Sequence, residues 1–150
     1  MGEPIAPIIN ELNAPFWTAA EQGRLVLPQC LTTGRAFWPP SPISPFVWGG
    51  ATGWSAAGGE GVLRALAIYR RVFQKAFEQL APYGVGLVEL DEGPRLHAFI
   101  PAGGGADALK PGDRVRLSFA RLLPDGPKVP TLTRTQAGPP DTLVTAPRAE

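Results

Sequence analysis

Prolines at 39, 40, 42 and 45 crowd the stretch PQCLTTGRAFWPPSPISPFVW (28–48), and they forbid a regular helix or a central strand there. The same punctuation runs along the whole chain, where 18 glycines and 18 prolines among 150 residues cut it into short runs. That level would border on disorder if 44% of the residues were not apolar. Short strands separated by many turns, around one modest core, are the expectation for a chain of this size.

Between those breaks the local signals are readable. In APFWTAAEQG (14–23), Asn13 precedes as an N-cap, Pro15 sits in the first turn, and Gly23 follows as a C-terminal cap, which predicts a helix over 14–22. Phe16, Ala19 and Ala20 fall on one face of it, and Trp17 beside them is read as a packing residue. From Gly50 the texture becomes β-like. The runs beginning at Gly53, Gly84, Pro94, Asp113 and Lys128 predict five strands and a small closed barrel. Alternation in RVRLSF points Val115, Leu117 and Phe119 inward and Arg114, Arg116 and Ser118 outward. GVGLVEL and VLRALAI are apolar on both faces, so their outer faces need a cover, either the N-terminal segment or another protein. A helix carrying Phe73, Phe77 and Leu80 is expected within 72–84, another helical turn within 107–113, and a mobile tail over 137–150.

Charge bounds the partners. Fourteen basic and 13 acidic residues leave a net charge of +1, too weak a field for a dedicated duplex binder, although a small phosphorylated ligand stays open. No apolar run approaches the ~20 residues of a membrane span, and MGEPIAPIINEL lacks the basic start and apolar centre of a signal peptide. With one cysteine there is no internal disulfide, and a reducing, cytoplasmic location is expected.

Catalytic constellations are sparse. His97 is the only histidine; it needs an orienting partner to act as a base, which Glu89 or Asp91 on the adjoining strand would have to supply, and otherwise it is a structural or surface residue. The run Glu89 to Gly93 reads as a hairpin turn. Cys30 has only Arg35 nearby as a cation and is read as inert. Gly103 to Gly105 lack the cap and lysine of a phosphate loop. Arg70, Arg71 and Lys75, joined by Arg64, fit either a solvated face or a seat for a nucleotide-like diphosphate.

The 28–48 stretch has the spacing of a two-knuckle metal site with few ligands. Cys30 and Thr33 stand where the first pair would be, Ser44 and Val47 where the second would be, and one thiol among four positions predicts no tightly held zinc. Phe37, Trp38, Phe46, Trp48 and Trp54 surround those positions and are expected to pack in place of a metal.

Taken in order, APFWTAAEQGRLVLPQC, GRAFWPPSP, GVGLVELDEGPRL and KPGDRVR resemble the OB-fold family with an N-terminal rubredoxin-like zinc ribbon, domain-of-unknown-function family 35, over about 13–134. The resemblance implies a mainly β protein: an N-terminal helical segment (1–23), a ribbon here read as metal-free (24–54), a five-stranded OB barrel with a short helical insertion (55–136), and a tail (137–150). It implies a non-catalytic accessory role beside acyl-CoA enzymes of lipid or steroid metabolism. Their partners are thiolase-like proteins, including aldolases and acyltransferases, or hydratases of hot-dog fold. CoA or acyl-CoA would be a shared ligand, contacted through its phosphates by Arg70, Arg71 and Lys75, while Phe37, Trp38, Phe46 and Trp48 would meet the partner. A single-stranded nucleic-acid binder is the alternative, since OB barrels stack bases on aromatic rings, and a small enzyme built on His97 or Cys30 is a third reading.

Overall fold

A computed structural model describes residues 7–73 and 75–135, so the expected tail lies outside the described residues. Helix α1 (Ala14–Glu21) forms where the spacing predicts it and buries Phe16, Ala19 and Ala20. Gly23 ends it with φ of 74°, a conformation that suits glycine. The Gly23 and Arg24 amides donate to the carbonyls of Ala20 and Ala19, each at 2.9 Å, the paired bonds of a Schellman ending. At the other end Asn13 does not cap the helix with its side chain. Asn10 and Asn13 instead accept each other's backbone N–H at 3.0 and 2.9 Å, which ties down the lead-in.

Strand β1 (Leu25–Cys30) pairs antiparallel with β2 (Thr52–Ala57), Leu25 opposite Ala57 and Cys30 opposite Thr52. The proline-rich loop is therefore held between two paired strands. The run beginning at Gly53 is not one barrel strand as expected. It is β2 and then β3 (Glu60–Tyr69), separated at Gly58 and Gly59, the latter with φ of 84°. The boundary expected after residue 54 falls inside β2.

The barrel closes in the order β3, β4 (Tyr83–Leu90), β5 (Arg95–Ile100), β7 (Lys128–Arg134), β6 (Arg114–Arg121), with β6 returning to β3. A register shift between Leu63 and Ala65 bends β3, whose first residues pair with β6 while nearly its whole length pairs with β4. Leu63, Val88, Leu96, Ile100, Val115 and Leu132 fill the interior. Inward positions of β4 include Gly84 and Gly86, which leave room for neighbouring chains; a Cβ on Gly86 would meet Leu132 Cδ1 at 2.6 Å and Leu63 Cδ1 at 2.8 Å. Val115 and Leu117 are buried and Arg114, Arg116 and Ser118 exposed, as the alternation predicts.

One core runs through ribbon and barrel. Phe16 sits 4.7 Å from the Trp38 ring of the ribbon loop and 5.8 Å from Phe119 of β6, so three segments meet on one side chain. This seats α1 against β1 and β7 rather than over β3 and β4, so among the described residues the helix is not the cover expected for those strands. The predicted 72–84 helix reduces to one turn, α2 (Lys75–Glu78), with a 3-10 turn later at Ala106–Ala108. Phe73 is fully exposed instead of sharing a stripe with Phe77, because the helix starts only at Lys75, while Pro82 and the return into β4 limit its other end.

Gly86→Ala is expected to lower stability by about 1–3 kcal/mol in denaturant unfolding, because the added methyl has only packed, buried leucines to displace. A variant as stable as the parent would show that the interior has slack at this point.

Candidate functional site

The knuckles expected from the spacing are both present. The Gly34 amide donates to the Cys30 carbonyl at 2.8 Å and the Cys30 amide to the Arg35 carbonyl at 2.8 Å. In the second, the Gly50 amide donates to the Val47 carbonyl, and the Phe46 and Val47 amides reach Ser44 Oγ at 3.1 and 3.3 Å. The two face each other across the buried Cys30. Hydrogen bonds from the side chains of Ser44 and then Thr33 hold its thiol pKa down to about 7.

The aromatic residues around them divide. Phe37 is buried and meets Phe46 edge-on at 6.3 Å, while Trp38 packs on Phe16. Arg35 lies over the outer side of Phe46 with its guanidinium carbon 3.9 Å from the ring centroid, a cation–π contact. Trp48 is fully exposed, with Ile43 and Leu31 also turned to solvent. Of the four residues expected to meet a partner, Trp48 reaches the surface outright, Phe46 reaches it in part, and Phe37 and Trp38 are spent on packing.

A second surface lies on the barrel. The register places Ala65 opposite Leu87, Ala67 opposite Val85 and Tyr69 opposite Tyr83. These side chains alternate with the buried Gly84, Gly86 and Val88 and so point outward. On β5, Phe99 pairs with Val85 and continues the same face. The result is an apolar sheet face. At one end it is closed by ion pairs: Glu89 takes Arg64 at 3.2 Å and Arg95 at 2.8 Å, and Asp91 takes Arg114 at 2.7 Å. Of the hairpin carboxylates, Glu89 and Asp91 are thus paired with arginines, while Glu92 accepts the Gly58 amide at 2.8 Å. Glu89, a supposed partner for His97, is occupied by arginines, and His97 lies exposed on the strand opposite Leu87.

At the other end the face becomes aromatic. Tyr69 and Tyr83 stack at 5.2 Å, and Tyr83 stands 5.8 Å from Phe99, which stacks on Phe77 at 6.4 Å. Arg70 and Arg71 follow directly from Tyr69 and are exposed, as is Lys75. Arg70 lies 3.4 Å from Asp107, and Arg64 belongs to the Glu89 pair at the far end, so it does not join them. Beyond Phe77 and Phe99 opens a groove of about 300 Å³ whose other walls include Trp17, Leu122, Leu123 and Val129. A clamp holds its two sides: Glu21 at the end of α1 accepts the Lys128 amide at 2.8 Å and Arg121 at 2.9 Å.

Residues 54–120 match the model of the C-terminal OB-fold domain of ChsH2, and residues 17–51 match that of the ChsH2 rubredoxin-like zinc ribbon domain. The solved Ltp2-ChsH2(DUF35) aldolase contains a chain that superposes with a TM-score of 0.73 at 32% identity, over 85% of this chain and 98% of that one. The chain belongs to the OB-fold DUF35 family. A Thermomonospora curvata protein named "Probable enoyl-CoA hydratase alpha subunit" is 38% identical to this DUF35 chain over 92 residues, 60% of this chain. This chain spans only 28% of the length of that relative.

The ribbon match corrects one expectation. Zinc cannot be set aside for this DUF35 chain, because 17–51 is a segment of zinc-ribbon type. Counting ligands alone misled, since domain type is carried by turns and packing as well. The donors gathered at the knuckles are nevertheless one thiol with the Ser44 and Thr33 hydroxyls, beside the aliphatic Val47. That set does not fit a closed site of four nitrogen or sulfur ligands, and no group of three or more His, Cys, Asp or Glu gathers elsewhere among the described residues. Among them, too, no helix is long and apolar enough to cross a membrane.

The Lys128 amide and Arg121 hold the Glu21 carboxyl below its ordinary value; Arg64 and Arg95 do the same for Glu89, and Arg114 for Asp91. A depressed carboxylate pKa gives stability that is present above the unfolded value of about 4 and is lost as pH falls through the folded one. The thermal midpoint should therefore be flat from neutral pH to about 5 and drop below about 4. Glu21→Gln, measured by thermal unfolding against pH, should lower the neutral-pH plateau and shallow the drop.

Proposed function

We propose that this DUF35-family chain is a non-catalytic accessory subunit of an acyl-CoA-processing enzyme. It docks a thiolase-like or hot-dog hydratase partner and shares the CoA part of that partner's substrate. The observation that carries this reading is the apolar outer face of β3 and β4, which α1 leaves uncovered. Ala65, Ala67, Val85 and Leu87 point away from the core, while β6 of the same barrel presents Arg114, Arg116 and Ser118 on its outer side. A sheet face left to water takes polar residues, as β6 does; a contiguous apolar one marks a surface that another molecule covers. Support for the class of partner comes from the relatives, one an aldolase that includes a ChsH2 chain and one named as an enoyl-CoA hydratase subunit.

In this reading Trp48 and Phe46 at the ribbon tip form a second contact with the partner, and a knuckle holds them at a fixed distance from the barrel face. Arg70, Arg71 and Lys75 lie at the edge of that face, where guanidinium and ammonium groups suit phosphate oxygens of CoA. The stacked Tyr69 and Tyr83 would also suit unpaired bases. Against a nucleic-acid role stand the net charge of +1 and the engagement of Arg64, Arg95, Arg114 and Arg116 by carboxylates.

Coexpression with thiolase-like and hydratase enzymes of the same genome, followed by native mass measurement, should yield a complex with one of them. Val85→Asp combined with Leu87→Asp should weaken it by at least tenfold while the isolated chain still folds, and Trp48→Ala should cost about 2 kcal/mol of binding as an exposed anchor. A chain that stays alone with every such enzyme would refute the reading.

A further inference from the structure

We propose that the groove beside α1 receives the acyl chain of a CoA thioester whose phosphates lie at Arg70, Arg71 and Lys75, an inference that rests on the CoA-sharing reading above. The groove is bounded by Trp17, Phe77, Phe99, Leu122, Leu123 and Val129, with prolines completing the walls. Its volume of about 300 Å³ lies at the lower end of the range for small-molecule sites. Such walls offer a hydrocarbon chain the removal of its surface from water and offer a polar group almost nothing.

The groove does not stand alone. Phe77 and Phe99 form both its wall and the end of the aromatic row that runs through Tyr83 to Tyr69, where the backbone continues into Arg70 and Arg71. One continuous surface thus has Arg70 and Arg71 at one end, flat rings in the middle and an apolar slot at the other end, with Lys75 two residues from the groove-wall residue Phe77. That order matches a ligand with an anionic head and an apolar tail. Asp125, the one charged residue among the described residues lining the groove, sets the direction: its carboxylate repels an anionic group at the slot, so a free fatty acid is disfavoured where a neutral thioester is accepted. The slot is also held open in advance. The Glu21 clamp ties α1 to the β6–β7 hairpin, and Arg121 donates to the Gly126 carbonyl inside that hairpin, so little ordering is left for the ligand to impose.

Calorimetric titration of the full chain with CoA, acetyl-CoA, octanoyl-CoA and sodium octanoate tests the assignment. Affinity should rise by about fourfold for each methylene that enters the groove, so octanoyl-CoA should bind at least tenfold more tightly than CoA, and octanoate should bind far more weakly than octanoyl-CoA. Val129→Asp should remove the gain with chain length and leave CoA affinity unchanged; Leu123→Asp serves the same purpose if the first variant fails to fold. Arg71→Ala with Lys75→Ala should weaken CoA and octanoyl-CoA by the same factor. Equal affinities for CoA and octanoyl-CoA, a chain-length gain that survives both groove variants, or octanoate binding as tightly as octanoyl-CoA would each overturn the proposal. Complex formation with the partner enzyme, measured on the same preparations, separates the two readings: a chain that binds its partner but shows no chain-length gain refutes the groove alone.

Discussion

The burial of Phe16 is the contact on which the arrangement depends. Its ring touches Trp17 of its own helix, Trp38 of the ribbon loop and Phe119 of the barrel, at centroid distances between 4.7 and 5.8 Å. Aromatic contacts of this kind combine a large area removed from water with preferred edge-on geometry, so they fix orientation as well as proximity. Through Phe16 the ribbon residues Leu25 and Leu27 join one core with Leu63, Val88 and Leu132 of the barrel. Ribbon and barrel are therefore one packed body, and α1 is committed to the seam between them.

That commitment decides what stays uncovered. A helix held at the seam by Phe16, and at its end by Glu21 on Arg121 and Lys128, is unavailable to cover β3 and β4. The barrel interior has its own demand. Glycines at 84 and 86 give up side chains so that Leu63, Leu132 and Ile100 can meet, while the intervening Tyr83, Val85 and Leu87 face outward. The apolar outer face follows from the two requirements together. Its ends are set by charge, with arginine–carboxylate pairs at one and the exposed Arg70, Arg71 and Lys75 beside an aromatic row at the other, Arg70 reaching Asp107.

Much of the fold was legible in the chain itself. Helix α1 and its Gly23 ending, the inward Val115 and Leu117, and the hairpin at Glu89 to Gly93 are local patterns, and local patterns survive in a sequence. Strand β2 was not legible as a ribbon strand, because GWSAA carries no sign of whether it pairs backward with β1 or forward into the barrel. The single-turn α2 was overestimated because apolar spacing at 73, 77 and 80 says nothing of how soon the chain must return to β4. Phe37, Trp38, Phe46 and Trp48 look alike in sequence; burial alone separates the first two from the last. The groove has no signature in the sequence, since Trp17, Phe77, Phe99 and Val129 lie in four distant segments. The double-faced apolar pattern of β4 asked for a cover over the outer sheet face without saying what it was, and it gave no sign of the groove, whose lining includes no β4 residue.

The sequence by itself determined the small β-rich class, the helix that opens it, the two knuckles of the ribbon and the resemblance to the DUF35 family, because each rests on spacing within a short segment. Only the tertiary structure decided that α1 lies at the seam, that it leaves the apolar outer face of β3 and β4 uncovered, and that cations, aromatic rings and an apolar groove form one surface. Those features arise where residues far apart in the chain compete for the same interior space, and Phe16 settles that competition by filling the junction.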